Sequence, residues 1–331
     1  MFKNIIFKRD LFKKGLFKKD LVRILASLLL LVLMTGLGTG LVGCNGGLQS
    51  APESDRLSQN IGNFEFSPQN YPRMGGSLAA LPLGQAVTAT VLGISREETA
   101  EYIIFEGSTS DNYRSLILSE FDILLAYEPS EEIMQMAREQ GITLEMTPIG
   151  RDALVFITNI NNPVSSLSDA QIRDIYSGRI VKWDEVGGHN SFIIPYQRNK
   201  DSGSHTLFDK LLNLGDDLIA PPTESIIGSM IGLLEVVADY HNSIDALGYT
   251  VYYYLTNMEV DKLSRTRILA IDGVECSNET IRSGDYPYVN DFYVVISADL
   301  PEDAPARVLY NWICSEQGRE LVERENYVTP Y

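Results

Sequence analysis

An α/β fold of two lobes is what this chain predicts, on three observations. From about Tyr71 onward, apolar runs of strand length alternate with segments of helical apolar spacing, over roughly 260 residues. The 331 residues suffice for two domains of ordinary size. Hydrophobic residues at 44% and charged residues at 21% fit a packed globular body and not a disordered chain. No internal repeat is visible at a period of about 20–50 residues.

The elements come in this order along the chain. Residues 78–93 have helical apolar spacing, with Pro82 near the start. YIIFEG (102–107) reads as a strand, 112–120 as a helix, 121–129 as a strand, and 130–141 as a helix stopped by Gly141. DALVFITN (152–159) is a strand, and 166–178 a helix with a Ser cap and a Gly stop. FIIPYQR (192–198) is a strand feeding a helix over 205–214, and 226–242 is helical. Strands are predicted at 246–257, 267–273 and 291–297, and the segment 304–327 is a helix or a helix pair.

The chain's start is of another kind. Residues 1–23 carry eight basic and two acidic side chains, and residues 24–43 carry no charge. A basic start followed by an apolar run is an export signal. Leu41-Val42-Gly43 just before Cys44 resembles the bacterial lipoprotein signal, in which the cysteine becomes the lipidated first residue. The alternative is an uncleaved signal anchor, since 20 apolar residues can span a bilayer. The lipoprotein reading is preferred because residues 44–70, rich in Gly, Ser, Asn and Gln, read as a flexible tether. Its first ~15 residues reach roughly 20 Å as a random coil. The expected organisation is a signal peptide over 1–43, a tether over 44–70 and a folded body over 71–331, anchored on the outer face of the membrane.

Composition narrows the function. With +6 in the first 23 residues, the total of −17 leaves −23 from Cys44 onward, a poor match to a nucleic-acid backbone. Three Cys and three His exclude a disulfide scaffold and leave little for a metal site, so neither metal nor cofactor is expected. Cys276 and Cys314 are either a disulfide or two free thiols. No GxSxG, HExxH or CxxC motif supports an enzyme, and Ser204-His205 adjacency is not a triad.

Three Ser-rich turns open helices: Gly75-Gly76-Ser77, Gly107-Ser108-Thr109-Ser110 and Asp201-Ser202-Gly203-Ser204. Each offers hydroxyls together with the free N–H groups and dipole of a first helical turn, which suit an anion. For any one of them plain N-capping is the simpler explanation, and three in one α/β chain raise the anion reading without deciding it. The third turn says more, because Arg198 stands just before it and a guanidinium can fork two hydrogen bonds onto a tetrahedral oxyanion.

At these residues the sequence resembles the PstS-like phosphate-binding proteins of ABC transporters. The resemblance runs from about Tyr71 to Tyr331 and is densest over 148–208, with further matches at 246–257, 268–296 and the closing Trp312–Val328 segment. It implies a type II periplasmic-binding-protein-like fold with crossing hinge strands and a ligand cleft between lobes. The first lobe would be about 71–155 plus 250–331, and the second about 156–249. It implies inorganic phosphate or a similar oxyanion as ligand and ABC permease subunits as partners. Arg198 would neutralise the anion, Ser202 and Ser204 would give hydroxyls and Gly203 its N–H. Ser77 would donate through its hydroxyl, Leu78 through its backbone, and Thr109 or Ser110 from the second turn.

The resemblance also places a carboxylate after the strand ending in AYEP. It would accept the proton that phosphate keeps at neutral pH and repel sulfate, which has none. Here that position falls on Tyr127, with Glu128 beside it. Three readings are open: a lipid-anchored subunit capturing phosphate for an importer, a related module with altered or lost anion binding acting in sensing or protein interaction, and a secreted phosphatase. Tyr252-Tyr253-Tyr254 would suit the second as a surface, or serve as hinge packing.

Overall fold

The computed structural model describes residues 60–61, 64–240 and 243–329, so the expected signal sequence, Cys44 and most of the tether lie outside the described residues. Among the described residues, no helix is long and apolar enough to cross a membrane.

Strands β1 (Asn60–Ile61) and β2 (Phe64–Glu65) form a small antiparallel pair. Then come β3 (Met74–Gly76), α1 (Leu81–Leu92), β4 (Ile103–Ile104), α2 (Thr109–Ile117), β5 (Ile123–Tyr127), α3 (Glu131–Glu139) and the long β6 (Leu144–Asn159). The middle of the chain adds β7 (Ser166–Leu167), α4 (Asp169–Tyr176), β8 (Ile194–Pro195), β9 (Gln197–Arg198), α5 (Gly203–Leu212), β10 (Ile226–Ile227), α6 (Met230–Ala238) and β11 (Ala246–Val251). The last part is α7 (Val260–Leu263), β12 (Thr266–Ile268), β13 (Ala270–Ile271), α8 (Asn278–Ser283), β14 (Val289–Ser297), α9 (Pro305–Ile313) and α10 (Glu316–Arg324).

One eight-stranded sheet runs in the order β4-β3-β5-β14-β6-β11-β8, with β12 also on β6. Strand β6 joins its two halves. Residues 144–153 pair antiparallel with β14, whereas Leu154–Thr158 pair with β11 and Ile157–Asn159 with β12. The change of partner falls between Ala153 and Leu154, and the Leu154 N–H donates to the Tyr288 carbonyl at 2.9 Å. This is the α/β fold of two lobes that the alternation predicts, with one long strand crossing between them.

Several elements differ from the sequence reading, each for a tertiary reason. The strand expected at 152–159 starts eight residues earlier, at Leu144, because β14 supplies a partner for that stretch. Pro148 and Gly150 are tolerated there because the register shifts opposite Phe292 and Tyr293. The strand expected over 246–257 ends at Val251 and turns into a π-helical turn, Tyr254–Met258. Tyr253 leaves the sheet because its N–H donates to Asp152 Oδ1 at 3.0 Å and its ring stacks on Tyr327 at 3.7 Å. The helix expected from 226 begins at Met230, because Ile226 and Ile227 pair with β9 and Ser229 caps the helix. The segment 304–327 is a helix pair, α9 and α10.

Packing extends before Tyr71, since Phe66 is buried against Phe64 and Tyr71. Strand β12 pairs with Ile157–Asn159 and β13 with β7, so residues 266–271 stay with the second half.

Aromatic packing holds the second half. The Phe156 ring lies 5.6 Å from Tyr288, 5.9 Å from Tyr176 and 6.2 Å from Tyr249, and Tyr249 stacks on Phe208 at 4.5 Å. All five rings are buried, so the floor under α5 is dry and closely packed. Tyr253 and Tyr254 are buried as well, which assigns that tyrosine run to packing near the crossover and not to a docking surface.

Candidate functional site

A cavity of about 390 Å³ opens where helix starts from the two halves of the sheet face each other. From the first half come Ser77-Leu78-Ala79, the Gly107–Thr109 turn, Asp111, whose carboxylate is engaged by Ser108 and Arg114, and Tyr127. From the second come Arg198, the Ser202–Ser204 turn and a further turn, Gly228-Ser229-Met230, that opens α6.

Local geometry explains each placement. Gly76 ends β3 so close to β5 that a Cβ would sit 2.1 Å from the Leu125 carbonyl oxygen. That approach lets the Ser77 N–H donate to the same oxygen at 3.0 Å and turns the Ser77 hydroxyl into the cleft. There Ser77 Oγ lies 3.0 Å from Thr109 Oγ1 and accepts from the Tyr127 N–H at 3.2 Å. Opposite, a Cβ on Gly203 would lie 2.5 Å from Thr109 Oγ1, so only glycine lets the start of α5 approach the start of α2 this closely. The capping reading also holds in part: Ser108, Ser202 and Ser229 accept from Asp111, His205 and Gly232 main-chain N–H groups. Ser202 keeps its own O–H to donate.

Arg198 is buried at 7% exposure, and among the described residues no carboxylate lies within ion-pair distance of it. Its Nε donates to the Ile227 carbonyl at 3.0 Å and its Nη2 to the Gly228 carbonyl at 3.3 Å. Burial, only partly offset by the nearby tyrosines Tyr249 and Tyr254, lowers its pKa to about 10, so the guanidinium stays charged at neutral pH. A buried cation held by two carbonyls and no anion is a site short of one negative charge. The Ser204 hydroxyl, equally buried, has no hydrogen-bond partner.

The expected residues divide accordingly. Ser77, Leu78, Thr109, Tyr127, Arg198, Ser202, Gly203 and Ser204 all line the cavity. Of the second turn it is Thr109 that reaches it. Ser110 is buried behind, its N–H donating to the Asp201 carbonyl at 3.3 Å. Glu128 is the correction: its carboxylate accepts from the Tyr293 hydroxyl at 2.9 Å and pairs with Lys210, and it does not line the cavity. Its side chain leaves β5 on the face opposite Tyr127, as successive strand residues do. The Tyr127 hydroxyl donates to Asp152 Oδ2 at 2.7 Å, and burial first, then the Asp152 charge, raise its pKa far above the usual phenol range.

Sequence reasoning missed Asn199, whose buried Oδ1 is unpartnered, and the Ser229 turn. The Ser229 turn carried the same signal as the others, a Gly-Ser pair before an apolar helix, but it was absorbed into a longer predicted helix. Cys276 and Cys314 are free thiols, the first half-buried and the second exposed.

The chain is 24% identical over 203 residues to the phosphate-binding protein PstS of Borreliella burgdorferi, covering 60% of this chain and 68% of the relative. It is 29% identical over 153 residues to PstS of Bacillus subtilis, covering 45% of this chain and 47% of the relative, about half of that protein's length. A substrate-binding protein from Clostridium perfringens, crystallised with bound phosphate, has the same fold with a TM-score of 0.62 at 23% identity, covering 78% of this chain and 99% of that one. The PBP superfamily domain matches residues 70–316, most of the chain. The chain belongs to the PBP superfamily.

Proposed function

We propose that this protein captures inorganic phosphate outside the cytoplasm and delivers it to the membrane subunits of an ABC importer, held at the membrane through lipidated Cys44. The observation that carries the reading is the buried, carboxylate-free Arg198 facing the hydroxyls of Ser77, Thr109, Ser202 and Ser204. The names of its relatives, phosphate-binding proteins, support the same ligand. No bond is made or broken; the lobes close on the ion and release it.

The magnitudes suit such a site. A micromolar site needs about −8 kcal/mol. Charge-assisted hydrogen bonds are worth roughly 1.5–3 kcal/mol each, so one guanidinium and several hydroxyls and amides suffice after ordering costs. The acidic surface is screened over ~8 Å at physiological salt and does not prevent capture.

With Glu128 engaged elsewhere, the acceptor for a phosphate proton is assigned to Tyr127. Its own proton is committed to Asp152, so what its oxygen retains is lone-pair acceptance. Titration calorimetry with phosphate, arsenate and sulfate tests the reading: heat with the first two and far weaker heat with sulfate is expected, and no heat with any of them sinks it.

A further inference from the structure

We propose that His205 and Tyr249 are positioning residues for the anion site, the imidazole taking the Tyr249 hydroxyl proton so that the phenol oxygen is held for the main-chain N–H of Arg198. The inference rests on the phosphate reading above and goes beyond it to residues that do not touch the cavity.

The direction of each hydrogen bond is set by the inventory of donors and acceptors. An N–H only donates, so Tyr249 accepts from Arg198 N at 2.9 Å. The Tyr249 hydroxyl, 1% exposed, then needs an acceptor for its own proton, and His205 Nδ1 stands 3.0 Å away. Nδ1 must therefore be unprotonated, and the ring proton sits on Nε2, which faces Asp209 Oδ2 at 3.4 Å. The chain runs from Asp209 through His205 and Tyr249 to the backbone of Arg198, a buried arginine with no carboxylate partner among the described residues.

Packing makes this chain stiff. Tyr249 sits in the middle of β11, stacked on Phe208 at 4.5 Å, and the His205 ring lies nearly parallel to Phe208 at 5.9 Å. His205 also comes directly after Ser204 in α5, so the imidazole ties the hydroxyl turn and the arginine to the same strand. If Arg198 shifts at the end of β9, its Nε and Nη2 lose the Ile227 and Gly228 carbonyls that aim it.

Protonation breaks the logic. An imidazolium has two donors, so Nδ1–H and the Tyr249 O–H point at each other and the phenol must give up one partner. The groups facing His205 are Asp209 from its own helix, Tyr249 from β11, and Lys200 and Arg198 from the loop before α5. Burial, the largest influence, lowers the His205 pKa below the ordinary histidine value. The ring is therefore neutral at pH 7, and acid weakens the grip.

The test is phosphate titration calorimetry on the full chain and two variants between about pH 7.5 and 4.5, spanning the ordinary histidine range. In His205→Asn the side-chain oxygen can replace Nδ1 as acceptor without titrating. Its affinity is expected within about threefold of the parent at the upper pH, and the parent is expected to lose about tenfold more than the variant on acidification. Tyr249→Phe keeps the ring stack and is expected to bind about tenfold more weakly at every pH, the loss of one positioning hydrogen bond. Parallel pH curves for parent and His205→Asn, or parental affinity in Tyr249→Phe, overturn the proposal. The phenylalanine variant decides alone if the asparagine variant does not fold. Absence of binding by the parent at the upper pH overturns the phosphate reading itself and the inference with it.

Discussion

Lys210 on α5 pairs with Glu128 at the end of β5, so the carboxylate that stood as a candidate ligand spans the cleft between the two halves of the molecule. A second pair does the same. Arg114 on α2 lies 3.0 Å from Asp201, at the loop that feeds α5, while its other nitrogen holds Asp111 at 2.9 Å. Both pairs are partly exposed, which limits each to ~1 kcal/mol or less. They act as weak clasps between the two halves.

Lys210→Gln is therefore expected to weaken phosphate binding by about threefold at low ionic strength, with the difference gone at high salt, where exposed charges are screened. Calorimetry at two salt concentrations checks this. A loss that persists in high salt would mean that Lys210 touches the ligand.

Arg198→Ala is expected to abolish measurable phosphate binding, and Arg198→Lys to lose about tenfold or more because an ammonium cannot fork onto two oxygens. The fold should persist, since the arginine lies outside the aromatic floor and its neighbours are carbonyls of the Ile227–Gly228 loop. Circular dichroism alongside calorimetry separates the two effects, and retained affinity in the alanine variant removes Arg198 from the site.

Tyr127→Phe removes the oxygen assigned to accept the phosphate proton. It is expected to narrow the gap between phosphate and sulfate affinities by about tenfold, mainly by weakening phosphate. Competition of sulfate against bound phosphate measures the gap. An unchanged ratio would place the discrimination elsewhere, with the unpartnered Asn199 side chain the next candidate.

Asp152, buried beside the crossover, accepts from the Tyr127 hydroxyl and from the Tyr253 and Ala153 N–H groups. Burial outweighs these bonds and raises its pKa from 3.8 to about 6. The native state thus holds the proton more tightly than the unfolded chain does. The stabilisation is complete below the unfolded value near 4 and is lost as pH rises through about 6, a cost of about 3 kcal/mol at neutral pH. Asp152→Asn removes this titration. The melting temperature of the parent, taken relative to Asp152→Asn, should rise as pH falls from about 7.5 to 5. A constant difference over that range rules out a raised pKa.

Much of this molecule is legible from its residues one after another. Alternating apolar runs and helical spacing yield the α/β class, and Ser or Gly at 75–77, 107–110 and 202–204 marks helix starts that ring the cavity, because capping is a local contest for orphan N–H groups. The matches to the PstS-like pattern carry Arg198 and the hydroxyls to their positions. What the sequence could not decide depends on partners distant in the chain. Leu144 joins β6 only because Val289–Ser297 lies beside it, and Tyr253 leaves β11 only because Asp152 and Tyr327 receive it. The choice between Tyr127 and Glu128 is of this kind too: neighbours on a strand point to opposite faces, and only the assembled sheet says which face is the cleft and which meets Lys210.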